Sequence, residues 1–451
     1  LTHNKSANTL SGMPINEDTS NEGFLNKNVR QFLANGMLGF AALLGGFVIF
    51  EPAPYELFLV LALFIWVLGG MRFSRYIAPL LFLFTLFNFG GVISSFQIED
   101  YGRGLLYVTV SYFLALTSVF FASVVLENPD RLRIIFRGYV IGAIITTILG
   151  LIGYFGIIAS FEMFTRYTRL MGAFQDPNVY GPYLVVPILY LVYGVLNRTD
   201  YLTLPRIIAL LILISGLFLA FSRAAWGLSL ICGMIFYLLL IINEQSARNR
   251  LKYIVLAILG IVALMLMFVI ALQFDSVSLL FAERFKVVQD YDGGQMGRFA
   301  RHLLGYQFAL SNPLGIGPLE FATYFYQDTH NNYVKALMAY GWIGFFSWMA
   351  IMLWTLIGGF KLLFKQREWL PYYQICYVVF LGHCIVGNVI DTDHWRHYYF
   401  ALGIVWGCMA VEKKFQYDNY IAAKKQKAKA GEAMSNAKTA SATQQPIPLL
   451  G

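Results

Sequence analysis

Unbroken apolar runs, each long enough to cross a bilayer as a helix, recur along most of this chain and leave it few folds to choose from. A spanning helix needs about 20 mostly apolar residues, because the hydrocarbon layer is about 30 Å thick and each helical residue rises about 1.5 Å. Such runs fall at roughly 33–50, 55–71, 76–95, 104–126, 134–158, 178–196, 206–220, 224–242, 252–271, 332–357, 371–390 and 398–412. They are continuous rather than alternating, which excludes a closed barrel. With 13% charged residues and 17% aromatics, an ordinary soluble domain and a disordered chain are excluded as well. The expectation is an all-α, polytopic integral membrane protein of about 12 transmembrane helices, with one large outer loop that carries short helices.

The basic residues orient these spans. Alternate loops carry Arg72 and Arg75, then Arg131, Arg133 and Arg137, Arg198 and Arg206, Arg248, Arg250 and Lys252, and Lys361, Lys365 and Arg367. Lys413 and Lys414 follow the last span, and a Lys/Ala-rich stretch begins at Lys424. Twelve spans place all of these on one side, which the positive-inside rule makes cytoplasmic. Three parts are expected: a disordered cytoplasmic tail at 1–30, a membrane domain at 31–412 whose loop 272–331 is periplasmic, and a basic disordered cytoplasmic tail at 413–451. The first tail is polar and lacks the apolar core of a signal peptide. Cys232, Cys376, Cys384 and Cys408 lie inside predicted spans without metal-ligand spacing, so they read as core-packing thiols. Basic residues scattered over membrane loops exclude nucleic acid as a partner.

About ten basic residues remain on the outer side: Arg103, Arg166, Arg169, Arg223, Arg284, Lys286, Arg298, Arg301, Lys335 and Arg396. Cations held there against the usual bias point to an anion, and a loop of about 60 residues in so apolar a chain is more often functional than connective. Within it, Arg298, Arg301, His302 and Gly305 recur at helical spacing on one stripe, while Phe299, Leu303, Tyr306 and Leu310 form an apolar stripe beside it. That pattern predicts a helix lying on the membrane surface with its guanidinium groups turned to a pocket; arginines on lipid headgroups are the plainer alternative. Asn312-Pro313-Leu314-Gly315-Ile316-Gly317-Pro318 stops the helix, and its Gly-Ile-Gly is a turn rather than a phosphate loop.

His330 stands at the start of the tenth span with Asp328 or Thr329 as the expected N-cap. A helix N-terminus favours a neutral imidazole and attracts anions, although a histidine satisfying a backbone carbonyl is an equal reading. Arg223 opens a span at the outer boundary, where a guanidinium is costly unless paired or used, and where bidentate phosphate contact suits it. Arg169 precedes Gly172-Ala173-Phe174-Gln175-Asp176-Pro177-Asn178. Asp391-Thr392-Asp393-His394 contains a pair of carboxylates beside a histidine; ion pairs that order the loop fit better than a metal, and no metal or other cofactor is expected.

These motifs together resemble the O-antigen ligase and polymerase superfamily of bacterial envelope glycosyltransferases. The resemblance rests on Arg169 and Gly172 before Asp176-Pro177-Asn178, on Ser222-Arg223, and on Gly297-Arg298 followed by Asn312-Pro313-Leu314-Gly315-Ile316-Gly317. It continues through His330-Asn331 into Tyr340-Gly341-Trp342-Ile343-Gly344. It implies transfer of a glycan from undecaprenyl diphosphate to an acceptor on the periplasmic side of the bacterial inner membrane. It implies His330, Arg298 and Arg223 as catalytic residues, with Arg169, Asn178 and Asn331 binding substrate; Arg301 has no counterpart in the family pattern and is expected to bind substrate from its place on the stripe. Lipid A-core is the acceptor placed first, which makes the chain an O-antigen ligase. A polymerase of O-antigen or exopolysaccharide, a protein O-oligosaccharyltransferase and a lipid-linked glycan transporter follow in that order. A transporter calls for polar residues deep in several spans, whereas this chain gathers its cations at one face.

Overall fold

A computed structural model describes residues 27–71, 74–197, 201–284, 297–325 and 327–442. The loop cation Lys286, and Arg72 and Arg198 of the orienting set, lie outside the described residues. Helices occupy the centre of each apolar run: α1 (Lys27–Leu44), α2 (Pro54–Leu68), α3 (Ala78–Ser95), α4 (Tyr101–Glu127) and α5 (Arg131–Tyr154) come first. A short hairpin of β1 (Thr165–Arg166) and β2 (Arg169–Leu170) leads to α6 (Pro177–Tyr183), α7 (Val185–Asn197), α8 (Thr203–Leu219), α9 (Arg223–Asn243) and α10 (Ala247–Ala271). The long loop carries α11 (Asp275–Arg284), α12 (Arg298–Ser311) and α13 (Phe321–Phe325). The chain closes with α14 (Asn332–Ala339), α15 (Gly341–Phe360), α16 (Leu370–Val386) and α17 (Arg396–Ala442).

This is an all-α, polytopic membrane protein. Among the described residues, 7 helical stretches are long and apolar enough to cross a bilayer, and the shorter α2, α8 and α16 are apolar as well. The most apolar window of α10 has 0% of its residues buried, so hydrocarbon must cover it; α4, at 72%, is central. α4 runs along α17, α1 along α5 and α3 along α15. One apolar core gathers Phe136, Tyr139, Tyr183 and Phe400, and a second gathers Phe84, Phe87, Tyr340, Trp348 and Trp406. A small third cluster of Ala309, Phe321 and Met338 fastens the loop helices to α14.

Two expectations need correction. The run at 332–357 is two helices, α14 and α15, because the Asn312–Pro318 turn is built into a break between them. Ile316 N–H donates to the Met338 carbonyl at 2.8 Å and Trp342 N–H to that of Pro313 at 2.9 Å. Gly341 takes φ +65° there, and a Cβ on it would stand 2.7 Å from the Leu314 carbonyl. Gly341→Ala is therefore expected to destabilise the fold by roughly 1–3 kcal/mol, the usual cost of a strained backbone position. It should appear as a lower thermal midpoint in detergent. Gly227→Ala, where nothing lies within 4 Å, should not lower it. Equal midpoints for both variants would show that the turn does not set the break.

The second correction concerns the tail expected to be disordered from 413. It continues as helix through Ala442, within a single element of 47 residues. Ala and Lys make up half of 413–442, no proline interrupts it, and these are strong helix formers. Polarity kept this stretch from a core; it did not keep it from being a helix.

Candidate active site

α12 is the helix its stripe predicts. Phe299, Leu303, Tyr306 and Leu310 are exposed at 62%, 60%, 48% and 51%, forming an outward apolar edge. Its other face meets α14 closely at Gly305, where a Cβ would lie 2.6 Å from Val334 Cγ1. This contact buries Arg301, whose Nη1 donates to Gln327 Oε1 at 2.8 Å and to the Asp328 carbonyl at 3.0 Å. Arg298 opens the same helix, half-buried, and bears electrostatically on Arg301 and His302. Burial pushes the His302 imidazole down; a hydrogen bond to the Thr329 backbone opposes this, while Arg298, Arg301 and His330 add to it.

The segment entering α14 presents His330 to this face. Its cap is Asn331, not Asp328 or Thr329 as expected: the Asn331 Oδ1 accepts from the Tyr333 and Val334 amides at 2.9 and 3.1 Å. An Asx cap needs the residue immediately before the first helical turn, and Asn331 occupies it. Asn331 Nδ2 donates to the Asn388 carbonyl, so its amide is engaged at both ends. His330, just outside the cap, lies in the left-handed region at φ +52°, an uncommon conformation for a side-chain-bearing residue. Its Nδ1 is 2.9 Å from Asp391 Oδ2, and its side chain remains 39% exposed.

Asp391 comes from the loop joining α16 to α17, which is ordered by ion pairs and hydrogen bonds, as its composition suggested. Asp393 accepts from the Tyr107 hydroxyl at 2.6 Å and lies 3.0 Å from His394 Nδ1. Burial acts to raise the Asp393 carboxyl, but Lys335 and His394 outweigh it and hold it well below the usual carboxylate range. The Asn332 side chain accepts from the Thr392 amide at 2.9 Å, and Arg396 pairs with Glu56 at the start of α2. Among the described residues, no group of three His, Cys, Asp or Glu side chains is placed to hold a metal ion.

Arg169 and Asn178 gather at the corner between α8 and α9. Arg169 is 5% exposed; its Nε donates to the Ala220 carbonyl and its Nη2 to Asn178 Oδ1, both at 2.8 Å. The corner leads directly to Ser222, whose hydroxyl caps α9 and sets Arg223 as its first residue. The fold thus brings Arg298, Arg301, His330 and Asn331 to one place, and pairs Arg169 with Asn178 beneath the turn that carries Arg223.

Residues 208–349 match a protein-family model described as O-Antigen ligase. The match covers under a third of the chain and makes that stretch similar to an O-antigen ligase domain. It runs from α8 into α15 and contains Arg223, Arg298, Arg301, His330 and Asn331, whereas Arg169, Asn178 and Asp391 lie outside the matched stretch. No curated protein and no solved structure matches the chain.

Two residues around the candidate site, Asp391 in the 391–394 motif and Lys335 among the outer cations, were named from the sequence without the contacts they make here. Asp391 is the partner of His330 across 61 positions, a pairing no local pattern announces. Lys335 is 7% exposed among carboxylates, and its signal was available: a lysine near the start of an apolar run is costly unless compensated.

Proposed function

We propose that this protein transfers a glycan from undecaprenyl diphosphate to an acceptor hydroxyl on the periplasmic side of the inner membrane, with lipid A-core as the acceptor. The family domain supports a function of the O-antigen ligase and polymerase type in a multi-pass bacterial membrane protein. The observation that carries the finer reading is the His330–Asp391 pair, half-open to solvent beside a helix bearing Arg298 and Arg301.

With the Nδ1 proton donated to Asp391, the His330 Nε2 bears the lone pair. Nε2 takes the proton of the acceptor hydroxyl as its oxygen bonds to the anomeric carbon. The bond from that carbon to the diphosphate oxygen breaks, and undecaprenyl diphosphate leaves with the electron pair. Negative charge grows on the leaving oxygens, where Arg298 and Arg223 stabilise it in the transition state. Arg301 and Asn331 shape the pocket from its buried side, while Arg169 and Asn178 fix the corner that holds Arg223. Membrane lipid meets the apolar edge of α12 and the bare face of α10.

A strain lacking this chain tests the acceptor. Loss of all glycan from lipid A-core, with lipid-linked polymer accumulating, is the expected outcome. Glycan attached as single repeat units would instead identify a polymerase. Sidedness has its own test: a cysteine introduced at the exposed Gln307 should react with an impermeant maleimide in intact spheroplasts. The four native cysteines are buried and give little background. Labelling only after the inner membrane is opened would overturn the periplasmic placement.

A further inference from the structure

Lys335 lies in α14, one turn beyond His330, and its ammonium is surrounded by acid. Nζ is 3.4 Å from Asp393 Oδ1, 3.5 Å from Asp328 Oδ2 and 4.0 Å from Asp391 Oδ1. The Tyr107 ring from α4 closes over it at 5.4 Å. A lysine near a helix N-terminus is opposed by the helix dipole, and burying it adds desolvation, so the three carboxylates are what keep it charged there. Two of these, Asp328 and Asp391, also belong to the surroundings of His330: Asp391 is its hydrogen-bond partner, and Asp328 is two residues before it. Without a cation among them, the carboxylates favour the imidazolium, which has no lone pair to take a proton.

We propose that Lys335 is a positioning residue of the transfer reaction: its ammonium, in ion-pair range of Asp391, holds that carboxylate turned on His330 and offsets the negative charge around the imidazole. This rests on the reading of His330 as the base. From α12, His302 bears electrostatically on His330, and Arg298 and Arg301 bear on His302. Asp393, with His394 and Tyr107 bound to it, completes the set from the α16–α17 loop and α4. Lys335 differs from the arginines because it contacts the carboxylate that orients the ring.

Two measurements on the full-length enzyme separate this role from a structural one. The first is the acid limb of kcat/KM against pH. The second is the pH dependence of His330 modification by diethyl pyrocarbonate, read by peptide mass spectrometry; the reagent attacks only the neutral ring. Lys335→Gln should move both midpoints up by about one pH unit, since one nearby charge is removed. Lys335→Arg, which keeps the charge, should leave both near their wild-type positions. If Lys335→Gln is not recovered folded, the Lys335→Gln/Asp393→Asn pair replaces it, and a smaller upward shift is expected. Lower activity with both midpoints unmoved would overturn the proposal. A shift in His330 modification without a shift in the acid limb would uphold Lys335 and instead remove His330 as the base.

Discussion

Arg298→Ala and Arg223→Ala are each expected to lower glycan transfer by roughly two to three orders of magnitude, the usual cost of removing one fixed donor from a developing anion. Both proteins should remain inserted and folded, because neither side chain belongs to an apolar core. The effect should fall on both KM and kcat, since the diphosphate is already anionic in the bound donor and gains a further charge as the glycosidic bond breaks. Lysine at either position should rescue poorly: a point charge does not reproduce the planar fork that meets two phosphate oxygens. Arg284→Ala, in the same loop, should cost less. Activity in both Arg298→Ala and Arg223→Ala close to wild type would remove these residues from the site.

His330→Ala should cost roughly two to four orders of magnitude in turnover, the range general base catalysis supplies. Donor binding should change little, because the proposed mechanism gives the hold on the diphosphate to the arginines. His330→Gln keeps a hydrogen-bonding group without usable basicity and should be about as impaired as alanine. Asp391→Asn should cost less than loss of the ring, since it disturbs the tautomer and orientation of an imidazole that is still present. Near-normal turnover in His330→Gln would make the histidine an orienting partner. The base would then be sought among Asp391, Asp393 and His394.

The parts legible in the sequence were those set by local physics. Apolar runs announced the helices because hydrocarbon imposes a length and a composition. The stripe of Arg298, Arg301, His302 and Gly305 announced α12 because helical spacing places those residues on one face. The break after Ala339 was hidden, since its cause is a turn that lies more than 20 residues earlier in the chain and enters against Gly341. The helix beyond 413 was hidden for the opposite reason: hydropathy reports burial, and this segment is polar yet helical by propensity.

The site divides along the same line. His330, Arg298 and Arg223 stood out because ionisable groups at a membrane boundary are costly without a use. What the imidazole is bonded to, and what keeps Asp391 beside it, depend on a loop about 60 residues away, and only the folded chain brings them together. Arg169 and Asn178, expected from the sequence to bind substrate, bond to each other beneath the turn that presents Arg223, a contact residue type alone does not announce.

Transfer itself is tested most directly with the purified protein, a glycan linked to undecaprenyl diphosphate, and lipid A-core, with both products followed by mass spectrometry. Transfer by this route should yield glycan on lipid A-core and free undecaprenyl diphosphate in equal amounts, in the wild type and not in His330→Ala. Movement of intact lipid-linked glycan across proteoliposomes, with no cleavage of the donor under any condition, would contradict it.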